Sequence, residues 1–135
     1  MSKKAIIISG NLAQDHEFIY PYYRLLEEGF NIDVCLLEGK PVQGILGTAI
    51  PPNKDQAIKK IDEVFVKDYK VLVLPGGVKA MEKVRQEKKI IKFIINIMKK
   101  NLLLIVIFYF ALIISSYGAA SSSSSGSSNY DKGAS

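Results

Sequence analysis

An uncharged run near the C-terminus constrains the fold of this chain more than any other feature. No charged residue occurs from Leu102 to Ala120, two lysines precede the run, and a serine tract follows it. A helix that spans a bilayer needs about 20 mostly apolar residues, and Lys99 and Lys100 would suit a cytosolic flank. The same run has a second interpretation, in which "LLLIVI" is a buried strand and "ALIISSYG" is the helix that follows it. The preceding segments must decide between the two.

Three earlier apolar runs favour the strand. "AIIIS", "VCLL" and "VLVL" alternate with helical patterns, which is typical of a parallel sheet with helices on both faces. "LLLIVI" is the next member of this series. The sequence therefore predicts an α/β domain with strands near 4–9, 31–37, 69–74 and 102–107. A membrane span over 102–120 remains the alternative, although its aromatic residues lie in mid-run and not at an interface.

The intervening segments predict helices and turns. Apolar residues at helical spacing predict a helix from residue 15 that contains Pro21 and stops at Gly29. The Gly- and Pro-rich stretch over 39–53 indicates a hairpin or an irregular loop. "KDQAIKKID" predicts a short polar helix. The segment 80–100 predicts one amphipathic helix with an apolar side formed by Ile90, Ile91, Ile94, Ile95 and Met98.

Composition limits the other classes of function. The single cysteine, Cys35, excludes an intramolecular disulfide and favours a reducing, cytoplasmic compartment. The net charge is +5, but the lysines are spread through helical segments without interleaved aromatics, so we expect a solvated face and no nucleic acid. No zinc-ligand spacing occurs, and we expect no metal and no other cofactor. Residues 1–117 are expected to form one incomplete α/β domain, and 118–135 a low-complexity, Ser-rich tail.

Two segments together resemble a known family. "HEFIYPYYRLLEEGFNIDVCLLEG", then "YKVLVLPGG", then an apolar strand is similar to the ThiJ/PfpI superfamily, and closest to the PfpI-type intracellular proteases. The resemblance covers about residues 3–116. It implies a flavodoxin-like parallel sheet sandwiched by helices, here truncated at its C-terminus because the family continues beyond this point. It also implies cysteine-dependent hydrolysis, or glyoxalase or deglycase action, on small carbonyl or peptide ligands.

The reactive groups of that family do not carry over to this chain. In the family, a cysteine and a histidine lie on a tight elbow written "AICHG", and a glutamate from an "FED" motif supports the thiol. Matched by position, Gln14 replaces the glutamate, Phe108 the cysteine and Tyr109 the histidine, while Phe110 replaces the glycine of the elbow. Gly76 and Gly77 remain as the loop that would supply oxyanion donors. The resemblance therefore predicts a catalytically inactive domain, with an active hydrolase using a displaced site as the alternative.

Four other polar residues near these positions have simpler interpretations. Asp15 is a candidate helix N-cap, and an acid such as Glu17 suits the first turn of a helix. His16 is the only histidine, but no nucleophile is placed beside it. Cys35 falls within a strand and is expected to be a buried, inert thiol. We expect packing and a partner surface to be the roles of Tyr20, Tyr22 and Tyr23.

A homo-oligomer is also expected, because the family's C-terminal strands are missing from this chain and one edge of the sheet should be left open.

Overall fold

The computed structural model describes residues 3–100 and 103–106. The chain forms a five-stranded sheet and a separate two-stranded hairpin. In chain order the strands are β1 (Lys4–Ser9), β2 (Asn31–Leu36), β3 (Val42–Gln43), β4 (Ala49–Ile50), β5 (Ile58–Lys59), β6 (Val71–Leu74) and β7 (Leu103–Val106). The large sheet has the order β5-β2-β1-β6-β7, and every pairing within it is parallel. Strands β3 and β4 form the antiparallel hairpin.

Three α-helices connect the strands of the large sheet. They are α1 (Asp15–Glu27), α2 (Val78–Gln86) and α3 (Lys88–Lys99), and two short 3-10 turns cover Ile61–Glu63 and Val66–Asp68. Helix α1 continues through Pro21 and ends before Gly29, whose positive φ of 77° closes the turn. The prediction of this helix and of its glycine stop is confirmed.

The four predicted strands are confirmed, with small shifts at their ends. β2 ends at Leu36, and β6 begins at Val71. β7 pairs with β6 from Leu103 to Val106, so this part of the uncharged run lies in the sheet. Residues 107–135, which include the rest of the run and the Ser-rich segment, lie outside the described residues. Among the helices that the structure describes, none is both long and apolar enough to cross a bilayer.

The core has two layers, one on each face of the sheet. Alternate residues of β1 point to opposite sides. Ala5 and Ile7 pack with Phe18, Tyr22 and Leu25 of α1. Ile6 and Ile8 pack on the other face, with an α2–α3 group that contains Val84, Ile90, Phe93 and Ile97. This two-sided burial explains why the strands are apolar throughout, and it confirms the α/β prediction.

The polar helix predicted over 54–62 is wrong. This segment holds β5 and the first 3-10 turn, and Ile58 pairs in parallel with Val34 at the edge of the sheet. The side-chain amide of Gln56 donates to the carbonyl of Ile32 at 3.1 Å, which fixes the chain beside β2. Backbone pairing with β2 satisfies these polar groups better than a short, isolated helix, which is marginal in water.

The single amphipathic helix predicted over 80–100 is also wrong. Glu87 is extended, with φ −82° and ψ 97°, and it separates α2 from α3. A continuous helix that buried Val84 would bring residues 88, 91, 95 and 98 toward the sheet. The break resets the phase, so that Ile90, Phe93 and Ile97 are buried while Ile95 and Met98 are exposed. The predicted apolar side was therefore right for Ile90 and wrong for Ile95 and Met98.

Candidate functional site

The strand order reverses between β1 and β6, at the carboxyl ends of these strands. From β1 the chain crosses to β2 on one side, and from β6 it crosses to β7 on the other. Open parallel sheets bind ligands outside the strand ends at such a switch point, because the two connecting loops diverge there. The loop over 10–14 and the turn over 75–77 meet at this switch point, where they are hydrogen-bonded to each other. This junction is the candidate ligand crevice, and the two segments are its walls. The sequence-derived positions Gln14, Gly76 and Gly77 all lie in these walls.

The loop after β1 is held in an unusual conformation. Leu12 has a positive φ of 63°, which a leucine rarely adopts. Its amide donates to the carbonyl of Gln43 at 2.8 Å, and the amide of Gln14 donates to the carbonyl of Gly76 at 2.8 Å. These two bonds tie the loop to the hairpin on one side and to the turn after β6 on the other. The side chain of Gln14 is exposed, so this residue contributes its backbone to the crevice.

Both glycines of the turn are required by close approach. A Cβ on Gly77 would lie 2.7 Å from the carbonyl oxygen of Leu12, and its φ of 116° strongly favours glycine. A Cβ on Gly76 would collide with the side-chain carboxylate of Glu17. Each glycine therefore makes room for a different neighbour, Gly77 for Leu12 and Gly76 for Glu17.

Glu17 is the acidic side chain that enters this crevice. It lies in the first turn of α1, is half-buried, and accepts a hydrogen bond from the backbone N–H of Gly76 through Oε2. The sequence interpretation gave Glu17 only a favourable position in the helix dipole and placed the family's carboxylate position at Gln14. The signal that could have identified Glu17 is its spacing, since it lies three residues after the helix N-cap and faces back toward the sheet.

The bond from Gly76 also changes the expectation for this loop. Gly76 was expected to supply an oxyanion donor, but its N–H is already engaged by Glu17. A ligand oxygen could accept this hydrogen bond only by displacing the carboxylate. The arrangement therefore places the carboxyl group of Glu17 against the Gly76 amide at the mouth of the crevice.

Asp15 has a different role from the one its sequence position indicated. The N-cap residue of α1 is Gln14, and no side chain caps the helix. The carboxylate of Asp15 instead accepts hydrogen bonds from the amides of Leu46, at 2.8 Å, and Thr48, at 3.0 Å. Burial alone raises the pKa of Asp15, but the hydrogen bonds from Thr48 and Leu46 outweigh it and lower the pKa to about 2. Asp15 therefore anchors the β3–β4 hairpin beside the crevice.

Cys35 lies away from the crevice. It is buried in β2, and its side chain joins the α2–α3 group of the core. Burial raises the pKa of the thiol to about 11, and the nearby carboxylate of Glu63 adds to the effect. The expectation of a buried thiol is thus confirmed. His16 lies exposed on α1.

Phe108, Tyr109 and Phe110 lie outside the described residues, so their placement as an elbow stays a prediction. Within residues 3–100 and 103–106, no three His, Cys, Asp or Glu side chains come together in a way that could hold a metal ion.

Comparisons with known proteins identify a family and a fold. A family model described as "DJ-1/PfpI family" matches residues 3–124. Deglycase PfpI from Pyrococcus furiosus is 35% identical over 88 residues, which cover 65% of this chain and 49% of the relative. An uncharacterized protein from Archaeoglobus fulgidus is 32% identical over 91 residues, 67% of this chain and 51% of the relative. The chain thus spans about half the length of the curated relatives it matches.

Solved structures show the same fold. The crystal structure of Drosophila melanogaster DJ-1beta superposes with a TM-score of 0.67 at 23% identity, over 87% of this chain and 61% of that chain. A two-domain protein from Anabaena variabilis, with DJ-1/ThiJ/PfpI-like and ferritin-like domains, superposes with a TM-score of 0.66 at 26% identity. It matches 76% of this chain and 28% of that chain.

Proposed function

The chain belongs to the DJ-1/PfpI family, and from that premise we propose that it is a deglycase-related domain without cysteine-dependent catalysis. In this proposal the crevice between β1 and β6 binds a small carbonyl or peptide ligand without turning it over. The curated relatives include proteins named as deglycases, which supports the carbonyl class over a protease. Glu17 is the acidic group that would contact a polar ligand, because its half-buried side chain lies against the Gly76 turn at the crevice.

The position of the only cysteine carries this proposal. Cys35 lies on β2, while the crevice lies between β1 and β6. Adjacent strands are about 4.8 Å apart, so β2 is about 10 Å from β6 and about 14 Å from β7. The thiol also points into the α2–α3 face of the core, whereas Glu17 comes from α1 on the opposite face. No simple rotation of side chains brings this sulfur to the crevice.

The ionisation of Cys35 gives a second argument against catalysis. A thiolate is the nucleophile in cysteine chemistry. With its pKa raised to about 11 by burial, the thiol is almost entirely protonated at neutral pH. A displaced site that uses Cys35 would lie in the cavity that Cys35 lines with Glu38, Lys83 and Glu87, and it would need a base that removes this proton.

Compartment and assembly are part of the same proposal. A single buried thiol fits a reducing cytoplasm, where free cysteines persist. Self-association is proposed because, among the strands that the structure describes, β7 and β5 are the edges of the large sheet and each pairs on one side only.

A turnover assay with a matched cysteine variant tests the loss of catalysis. The full chain is incubated with methylglyoxal, or with a reporter peptide, beside the Cys35→Ser variant. The proposal expects both proteins to match the rate of the buffer blank. Turnover by the unmodified chain that disappears in Cys35→Ser would overturn it and establish a displaced site.

Restoration tests where the family site lies. The triple variant Phe108→Cys, Tyr109→His and Phe110→Gly supplies a nucleophile, a base and a tight elbow. We expect this variant to gain measurable turnover without any change at Gln14, and to lose it when Glu17→Gln is added. A gain that requires Gln14→Glu instead would show that Gln14, and not Glu17, holds the supporting position.

A further inference from the structure

The positive charge of this protein is concentrated on one helical layer. Residues 78–100 hold eight of the 18 Lys and Arg residues but only two of the 13 Asp and Glu residues. This layer therefore carries a net charge of +6, and the rest of the chain carries −1. The charge asymmetry arises in α2 and α3. The net charge of the whole chain, +5, conceals it.

The outer face of α3 has a stripe of apolar side chains among these basic residues. Ile91, Ile95 and Met98 recur at helical spacing, so they share one face. Ile95 is 46% and Met98 is 52% exposed, while Ile91 is half-buried. They face outward because the break at Glu87 turns the other side of α3 toward the sheet. Exposed aliphatic residues grouped in this way mark an interaction surface more often than isolated ones do.

A basic stripe runs beside the apolar one. Lys88, Lys92 and Lys99 are exposed on α3, and with Arg85 they line a groove that also contains Ile91 and Ile95. Along the helix these lysines span about 16 Å. Across the part of the chain that the structure describes, no carboxylate pairs with any of the four cations. Lys89, by contrast, is held by Asp62 at 2.9 Å.

We propose that this face of α3 is a docking surface for an anionic phospholipid bilayer. A lysine stripe beside an aliphatic stripe is the pattern of a helix that lies at a membrane interface, with the apolar side chains at the acyl boundary and the amines among headgroups. Lysine stems are long enough to place the ammonium groups among anionic lipids while the helix stays flat. This surface is separate from the ligand crevice. The proposal is that the protein binds at the bilayer surface through α3, without a segment that spans the bilayer.

Nucleic acid fits this face less well. Lysines can contact the phosphates of nucleic acid, but base readout and base stacking use arginine forks and aromatic rings. The lining residues of this groove include one arginine and no aromatic residue. Ile95 and Met98 would gain nothing from phosphate contacts. A partner that is both anionic and apolar accounts for their exposure together with the lysines beside them.

Vesicle cosedimentation of the full chain tests the proposal. The vesicles contain phosphatidylcholine alone or with about one third phosphatidylserine. We expect binding only to the anionic vesicles and its loss at high salt, because salt screens exposed charges. The pair Lys88→Glu and Lys92→Glu should lower the partition constant at least about 25-fold, since each lysine contributes roughly fivefold.

Matched control variants distinguish binding through this face of α3 from a general effect of net charge. Lys3→Glu with Lys54→Glu gives the same net charge on the α1 side, where Lys3 stands over Phe30. This pair should change binding about twofold or less. Ile95→Ser with Met98→Ser should lower binding about tenfold. Leu26→Ser, at a residue of α1 that is 42% exposed, should leave it unchanged.

Three results would overturn the proposal. Equal binding to neutral vesicles would show that the uncharged run over 102–120 drives association. Binding to single-stranded DNA that depends on the lysines but not on Ile95 and Met98, without binding to vesicles, would identify a nucleic-acid surface. Failure to sediment with either vesicle would leave the face without a lipid partner.

Discussion

Gly76 and Glu17 depend on each other at the scale of single residues. The glycine leaves the space that the carboxylate fills, and the carboxylate accepts the glycine amide. A change at either position should therefore alter the cost of a change at the other. This coupling can be measured without knowing the ligand.

A double-mutant cycle gives the first prediction. Gly76→Ala alone places a methyl group against the Glu17 carboxylate and should cost about 1–3 kcal/mol of unfolding free energy. Glu17→Ala removes the obstacle, so the double variant should be at least about 1 kcal/mol more stable than the sum of the single changes. Urea unfolding monitored by circular dichroism measures all four proteins. Strict additivity would show that the two residues do not touch in solution.

Asp15 gives the second prediction, because its folded-state pKa is lowered to about 2. A depressed carboxyl pKa contributes stability that is present above about pH 4 and is lost as the pH falls toward 2. Asp15→Asn keeps the shape and removes the charge that accepts from Leu46 and Thr48, and it should cost about 1–3 kcal/mol at pH 7. Unfolding of both proteins from pH 7 to about pH 2.5 should show this difference shrinking with acid. A difference independent of pH would contradict the assignment.

The two acids show what sequence could and could not predict at this scale. Both Asp15 and Glu17 suit a helix N-terminus, so local rules explained them without tertiary contacts. Their actual partners, the hairpin amides and Gly76, are about 30 and 59 residues away along the chain. Contacts of such separation have no local signature in one sequence. The glycines of the turn, by contrast, were identifiable because few other residues fit such a turn.

At the scale of elements, strands were easier to predict than helix phase. The apolar runs of β1, β2 and β6 are buried on both faces, so composition alone marks them, and the apolar run of β7 has the same composition. The break at Glu87 has no such mark, because neither glycine nor proline occurs there. It forms because Val84 and Ile90 must both face the sheet, and six residues do not fit a whole number of helical turns.

The phase of α3 gives the third prediction. Ile97 is 1% exposed and Met98 is 52% exposed, although a continuous helix would reverse their roles. Ile97→Ala should cost about 2–4 kcal/mol by leaving a cavity. Met98→Ala should cost less than about 0.5 kcal/mol. Thermal or urea unfolding of the two variants compares adjacent positions directly, and a larger cost at Met98 would restore the single-helix prediction.

At the scale of the whole molecule, the edges of the sheet differ. β5 has only two residues, and Lys59 within it pairs with Asp33 at 2.9 Å, so this edge is short and charged. β7 is longer, and its four residues pair with β6 alone among the described strands. Short, charged edges resist pairing between chains, whereas longer apolar edges favour it. Self-association through the β7 side is thus favoured over the β5 side.

The exposed face of α1 offers a second route to association, and the last prediction separates the two. Tyr20 is 64% and Tyr23 is 47% exposed, and tyrosines are enriched in interfaces. Tyr22, which was expected to belong with them, is buried and donates to Gln56 at 3.0 Å. We expect light scattering over a concentration series to show a dimer or larger species. If association uses the sheet edge, Tyr20→Ser with Tyr23→Ser should leave the mass of the oligomer unchanged, because both tyrosines lie on α1 and neither lies near β7. If the variant becomes monomeric, the exposed face of α1 is the interface. If the parent chain is itself monomeric at high concentration, both routes are contradicted.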